Sequence, residues 1–129
     1  MTGTPSVVRS DSAPEPVGPY SQAIEHDGFL FVSGQLGIDN VTGALASGGV
    51  APQTEAALRN LSAVLKAAGA GPEDVVKVSI FLKSMADFPL VNGVYGRFFS
   101  SWKPARTTVG GLQLPKDALV EIDAVARIP

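Results

Sequence analysis

The sequence predicts a two-layer α+β domain, a mixed sheet with two helices on one face. Three observations lead there. Short β-branched runs with period-two alternation recur along the chain, most cleanly from Leu119 to Ile128. Two helical stretches are interleaved with those runs. The length, 129 residues, suits one domain, and a chain of that size buries roughly two thirds of its unfolded surface, so a core needs no crosslinks.

The elements follow in order. Residues 1–16 are rich in Ser, Thr, Pro and Asp and read as a flexible N-terminal arm, leaving residues 17–129 as a single domain. Asp27-Gly28 is a tight turn joining Ala23-Ile24-Glu25 to the strand Phe29-Leu-Phe-Val-Ser33. His26 beside that turn is expected at a solvated strand end. Asp39 to Gly43 and Ser47-Gly48-Gly49 carry turn chemistry. From about Pro52 to Ala68, the residues Leu58, Leu61, Leu65 and Ala68 recur at helical spacing, and Gly69 is a natural stop.

Val76, Val78, Ile80 and Leu82 then alternate with Lys77, Ser79 and Phe81, which predicts a strand with one apolar face. Asp87 is placed to cap a second helix with Pro89 in its first turn. Leu90, Val91, Val94 and Phe98 would form the buried face of that helix, which Gly93 and Gly96 each weaken by about 1 kcal/mol relative to Ala. Thr107-Thr108-Val109 is a further strand candidate. In the last strand Val120, Ile122, Ala124, Ala126 and Ile128 face one way, and Glu121, Asp123 and Arg127 the other. Both helices would cover one sheet face. The second face must be polar or be buried by self-association.

Composition narrows the chemistry. Charged residues are 17% of the chain, below the usual quarter, which points to a buried subunit interface. The net charge is −2 and the ten basic residues are dispersed, so no phosphate footprint forms and no nucleic-acid partner is expected. Without cysteine there is no disulfide, thiol nucleophile or thiolate metal site, and the single His26 cannot build a multi-histidine one. No run approaches the roughly 18 apolar residues of a membrane helix, and no secretory signal opens the chain, so the cytoplasm is the expected compartment. Gly34-Gln-Leu-Gly37 lacks the third glycine of a dinucleotide fingerprint, and no Gly-x-Ser-x-Gly elbow is present.

Three polar features stand out. Arg106 enters an apolar strand in Pro104-Ala-Arg-Thr-Thr-Val109, where its fork suits a carboxylate; an ion pair with Asp123 or Glu121 at a strand edge would satisfy it equally. Glu121 can polarise a water or shuttle a proton, or can form with Asp123 the wet face of an edge strand. Tyr20, after Gly18-Pro19, is positioned to bond a ligand or to lie as a lid over the core.

Taken together, Gly18-Pro-Tyr-Ser-Gln-Ala23, Phe31-Val-Ser-Gly-Gln35, Gln53-Thr54, Leu58-x-Asn60-Leu61, Val91-Asn-x-Val-Tyr95, Pro104-Ala-Arg106 and Leu114-Pro-Lys-Asp-Ala-Leu-Val-Glu-Ile-Asp-Ala124 resemble the RidA (YjgF) family of reactive-intermediate deaminases. The pieces run in family order over nearly the whole chain. The resemblance implies a chorismate mutase-like fold and a homotrimer whose sheets form a central barrel, with sites between subunits. It implies hydrolysis of 2-imino acids, such as 2-iminopropanoate and 2-iminobutanoate, to 2-keto acids and ammonia, with no cofactor and no metal.

Residue by residue, the resemblance gives Arg106 the substrate carboxylate, Glu121 the attacking water and Tyr20 a place over the substrate. It places Ser33, Gly34 and Asn92 along the same cleft. Thr108 stands where many members have cysteine, and Gly110-Gly111 replaces a bulkier stretch, which is expected to open the cleft wall. These departures place the chain in a non-archetypal subgroup. Two other functions stay open: a trimeric module that binds carboxylate metabolites without turnover, and an endoribonuclease, against which the acidic pI counts.

Overall fold

In the computed structural model, which describes residues 3–129, Asp27 and Gly28 have φ of 51° and 81° and close the first hairpin. Two consecutive positive φ values are what a type I′ turn requires. The turn joins β2 (Ala23–His26) to β3 (Phe29–Leu36), with His26 opposite Phe29. Residues 1 and 2 of the expected arm lie outside the described residues. The rest of the arm is laid against the body: Ser6–Val8 forms an edge strand, β1, on β2. The Gln22 side chain, 3% exposed, donates to the carbonyls of Ser10, Ala13 and Pro14 and accepts from the Ser10 amide.

The remaining elements are α1 (Val50–Ala67), β4 (Val75–Leu82), α2 (Phe88–Phe98), β5 (Ala105–Val109) and β6 (Val120–Arg127). The six strands form one sheet in the order β1-β2-β3-β6-β4-β5. Only β4 and β5 run parallel, and α2 makes the crossover between them. The strand β6 lies between β3 and β4, antiparallel to both. It is therefore an interior strand, so Glu121 and Asp123 are not the wet side of an edge.

Both helices cover one face. Leu58, Leu61, Val64 and Leu65 of α1 and Val91, Val94 and Tyr95 of α2 share a single core with Val78, Ile80, Ile122 and Ala124 of the sheet. Two positions differ from the periodicity. Val76 is exposed because the register with β6 shifts between Val75 and Lys77, turning Val75 inward in its place. Leu90 is 59% exposed, and Tyr95, one helical turn beyond Val91, is buried instead. Asp87 makes no side-chain cap; Ser84 caps the short 3₁₀ turn that leads into α2, accepting from the Ala86 amide. No helix among the described residues is long and apolar enough to cross a membrane.

Three buried amides fix the loops around the sheet's upper end. Asn60, 2% exposed, donates to the carbonyls of Leu36 and Ile38 and accepts from Asn40. Gln53 accepts the Leu119 amide at 2.9 Å, just ahead of β6. Gln22 holds the chain before Tyr20, as above. Each bonds backbone groups in the loops or at a strand end.

The opposite sheet face carries Phe29, Phe31, Phe81, Val109 and Val125 beside Glu121. Directly paired residues share a face. Phe81 is paired with both Glu121 and Val109, and Phe31 with Val125. Phe29 and Phe31 are 44% and 48% exposed, so this face is apolar and uncovered within one chain.

Candidate active site

Arg106 lies on β5 opposite Val78, so its side chain leaves the sheet on the helix side. There α2 receives it. Its Nη1 donates to Asn92 Oδ1 at 2.7 Å. The guanidinium stacks on the rings of Tyr95 and Phe88, with Cζ 4.8 Å and 5.3 Å from their centroids. A cation held by aromatic faces and one neutral amide keeps its charge and most of its donors free. Among the described residues no carboxylate pairs with it, which removes the ion pair with Asp123 or Glu121 that the sequence alone allowed. A cleft of about 460 Å³ opens beside it, walled by α2 and by Lys103-Pro104.

Two hydroxyls on this side have no hydrogen-bond partner. Thr108, two residues along β5 from Arg106, has a buried, unpartnered Oγ1. So does the Tyr95 phenol, whose residue is 7% exposed. A buried orphan donor costs about 1–3 kcal/mol and calls for a use. Burial raises the Tyr95 pKa, and the Arg106 charge pulls it partly back.

Tyr20, Ser33, Gly34 and Glu121 assemble elsewhere. Between Val32, opposite Ala124, and Gln35, opposite Ile122, β3 carries Ser33 and Gly34 against the single residue Asp123. This bulge re-aims the strand locally. The Glu121 carboxylate rests against Gly34 where a Cβ would be, so only glycine admits it. Burial, and secondarily the charge of Asp123, pushes the Glu121 pKa above the usual carboxylate range. The Ser33 hydroxyl donates to the Ser21 carbonyl at 2.6 Å, so it meets a ligand only as an acceptor.

Tyr20 and Gly34 line one small cavity of about 60 Å³ with Lys116. The Tyr20 amide donates back across Pro19 to the Gly18 carbonyl at 2.8 Å, fixing the residue's direction. At 50% exposed the ring is no lid over the core. Lys116 and Asp117 both hold positive φ, 59° and 56°, in a turn that Leu119's bond to Gln53 anchors.

The structure thus brings the predicted residues together as two groups. Arg106, Asn92 and Thr108 stand on the helix side of edge strand β5. Tyr20, Ser33, Gly34 and Glu121 gather at the β3–β6 end. Glu121 is opposite Phe81 and Arg106 opposite Val78, on opposite faces. Their strands are separated by β4, so the two residues are roughly 10 Å apart across the sheet and roughly 10 Å apart along it. No small substrate spans that distance within one chain.

Several residues of the site had no sequence signal strong enough to single them out. Tyr95 and Phe88 act through the face of α2, which shows only once the helix is docked. Met85 fills the space that Gly110 leaves: a Cβ on Gly110 would meet its Cγ and Sδ. At Gly111 a Cβ would meet nothing within 4 Å, so that position stays open. His26 sits at a strand end as expected, with Nε2 3.4 Å from Asp27. A further cleft, about 760 Å³ between α1 and the loop at Ile38 to Val41, holds none of the predicted residues.

The family model for endoribonuclease L-PSP matches residues 10–128. A RutC family protein of Pyrococcus horikoshii is 48% identical over 120 residues, covering 93% of this chain and 95% of that protein. The human 2-iminobutanoate/2-iminopropanoate deaminase is 43% identical over 93% of this chain and 88% of its own length. Among solved structures, Escherichia coli TdcF with bound serine superposes with a TM-score of 0.90 at 33% identity, covering 95% of this chain and 98% of that one.

Proposed function

The chain belongs to the endoribonuclease L-PSP family, in which the RutC and RidA proteins fall, and on that premise we propose that it hydrolyses reactive 2-imino acids to 2-keto acids and ammonia. The observation that carries the reading is Arg106: a guanidinium clamped by Asn92, Tyr95 and Phe88, facing a cleft, with no carboxylate partner among the described residues. Such a fork binds the carboxylate of a small acid in a fixed orientation. Similarity to relatives named 2-iminobutanoate/2-iminopropanoate deaminase supports the substrate class.

The reading needs a second copy. Each chain holds an Arg106 group and a Glu121 group too far apart to share a substrate, and an apolar sheet face that one chain leaves bare. A closed ring of copies, a trimer, buries that face and sets the Arg106 side of one subunit against the Glu121 side of the next. Tyr20 then lies over the bound acid.

The chemistry asks little beyond positioning. Arg106 holds the carboxylate, and Glu121 accepts a proton from a water as its oxygen bonds to the iminium carbon. The proton passes to the nitrogen of the resulting carbinolamine. Glu121 then takes the carbinolamine hydroxyl proton as the C–N bond breaks; ammonia leaves, the keto acid forms, and the proton passes to the departing ammonia, giving ammonium. Held geometry and preorganised charge supply most of the acceleration.

The test is imine loss in a coupled assay, with an amino-acid oxidase generating the imines. Wild type accelerates hydrolysis, and Arg106→Ala loses at least about 100-fold while keeping its oligomeric state. Full activity in Arg106→Ala would overturn the reading. Binding of keto acids with no turnover of any imine would leave a metabolite-binding module in its place.

A further inference from the structure

The cleft beside Arg106 carries a second cation that the hydrolysis above does not use. Lys103 lines it together with Asn92, Tyr95 and Arg106, and no acidic side chain does. The Lys103 ammonium makes one long bond, 3.4 Å to the Ser100 carbonyl in its own turn. No carboxylate lies within ion-pair distance of it among the described residues. In a chain of net charge −2, two unpaired cations sharing one acid-free cleft form a local positive site.

The cleft also offers room. At about 460 Å³ it falls in the range of small-molecule pockets, beyond what a three-carbon imino acid fills. The Tyr95 hydroxyl in the same wall is buried without a partner. At Gly96 the helix presents bare backbone, since a Cβ there would meet nothing within 4 Å.

We propose that Lys103 is the contact for a second anionic group and that the preferred substrates are 2-imino dicarboxylates, with the α-carboxylate on Arg106 and the distal carboxylate on Lys103. This rests on the imine-hydrolase reading of the same site. A charge-assisted bond to one substrate and not another discriminates by tenfold or more.

The experiment compares imines made by a glutamate oxidase with those made from alanine. Wild type accelerates loss of the glutamate-derived imine at least tenfold more than the alanine-derived one. In Lys103→Met that ratio falls at least fivefold, and Lys103→Arg restores it. Equal acceleration of the two imines, or a ratio untouched in Lys103→Met, would overturn the proposal. Calorimetry separates this failure from failure of the hydrolase reading. Wild type binds 2-oxoglutarate more tightly than pyruvate, and Lys103→Met loses that difference. If no imine is turned over, the hydrolase reading falls and the calorimetric difference alone decides the role of Lys103.

Discussion

The Glu121 carboxylate occupies the space that a side chain at Gly34 would fill. The two residues meet because β3 bulges at Ser33-Gly34, opposite Asp123. A glycine on a strand is ordinarily a weak point; here it is the seat of the proposed base.

Gly34→Ala should therefore displace Glu121 without unfolding the sheet. A misplacement of about 1 Å at a reacting group costs on the order of 100-fold. We expect kcat to fall by about that factor, with the oligomer intact by sedimentation. Unchanged kcat would detach Glu121 from the chemistry.

Glu121 also sets a pH dependence. Its folded pKa lies above the unfolded one, because burial and Asp123 disfavour the charged form. The acid is thus easier to keep protonated in the folded state. Its contribution to stability is present below the unfolded pKa and is lost as pH rises through the raised folded value. Activity runs the other way, since the base form is needed. The acid limb of the rate profile should lie above the ordinary carboxylate range and vanish in Glu121→Gln. That variant should also gain stability over wild type as pH rises through the limb, measured by denaturant titration.

Tyr95 separates ring from hydroxyl. Tyr95→Phe keeps the face under Arg106 and removes a buried, unpartnered phenol, so stability should rise by about 1–3 kcal/mol. Tyr95→Leu removes the face, and the cation–π contact with it, worth about 0.5–2 kcal/mol. KM for the imino acid should then rise about 2- to 30-fold, read in the same coupled assay.

Asn60 is a test of the frame alone. Asn60→Ala leaves the Leu36 and Ile38 carbonyls without their donor. Each buried orphan costs about 1–3 kcal/mol, so urea unfolding should show a loss of roughly 2–6 kcal/mol.

Much of this was legible in the sequence because period and turn chemistry are local. Asp27-Gly28, the alternation over Val120 to Ala126 and the α1 stripe at Leu58, Leu61 and Leu65 each name their element directly. What was not legible depends on pairing. The bulge at Val75–Lys77 sends Val76 outward against its alternation. The arm's polar composition hid a strand at Ser6–Val8 that only an edge partner reveals. The site residues were named by motif, but motif carries no face. That Arg106 and Glu121 leave the sheet on opposite sides follows from register, which one sequence does not contain. Likewise no pattern shows that Met85 occupies the gap at Gly110.

The central claim is that each site takes Arg106 from one copy and Glu121 from another. Mixing two dead variants tests it. Arg106→Ala and Glu121→Ala are each inactive alone, and they are then co-expressed or unfolded and reassembled together at equal amounts. Random assembly restores both groups at about one quarter of the sites, so about one quarter of wild-type activity should return. No activity in the mixed oligomers would place both groups of a site in one chain and contradict the account.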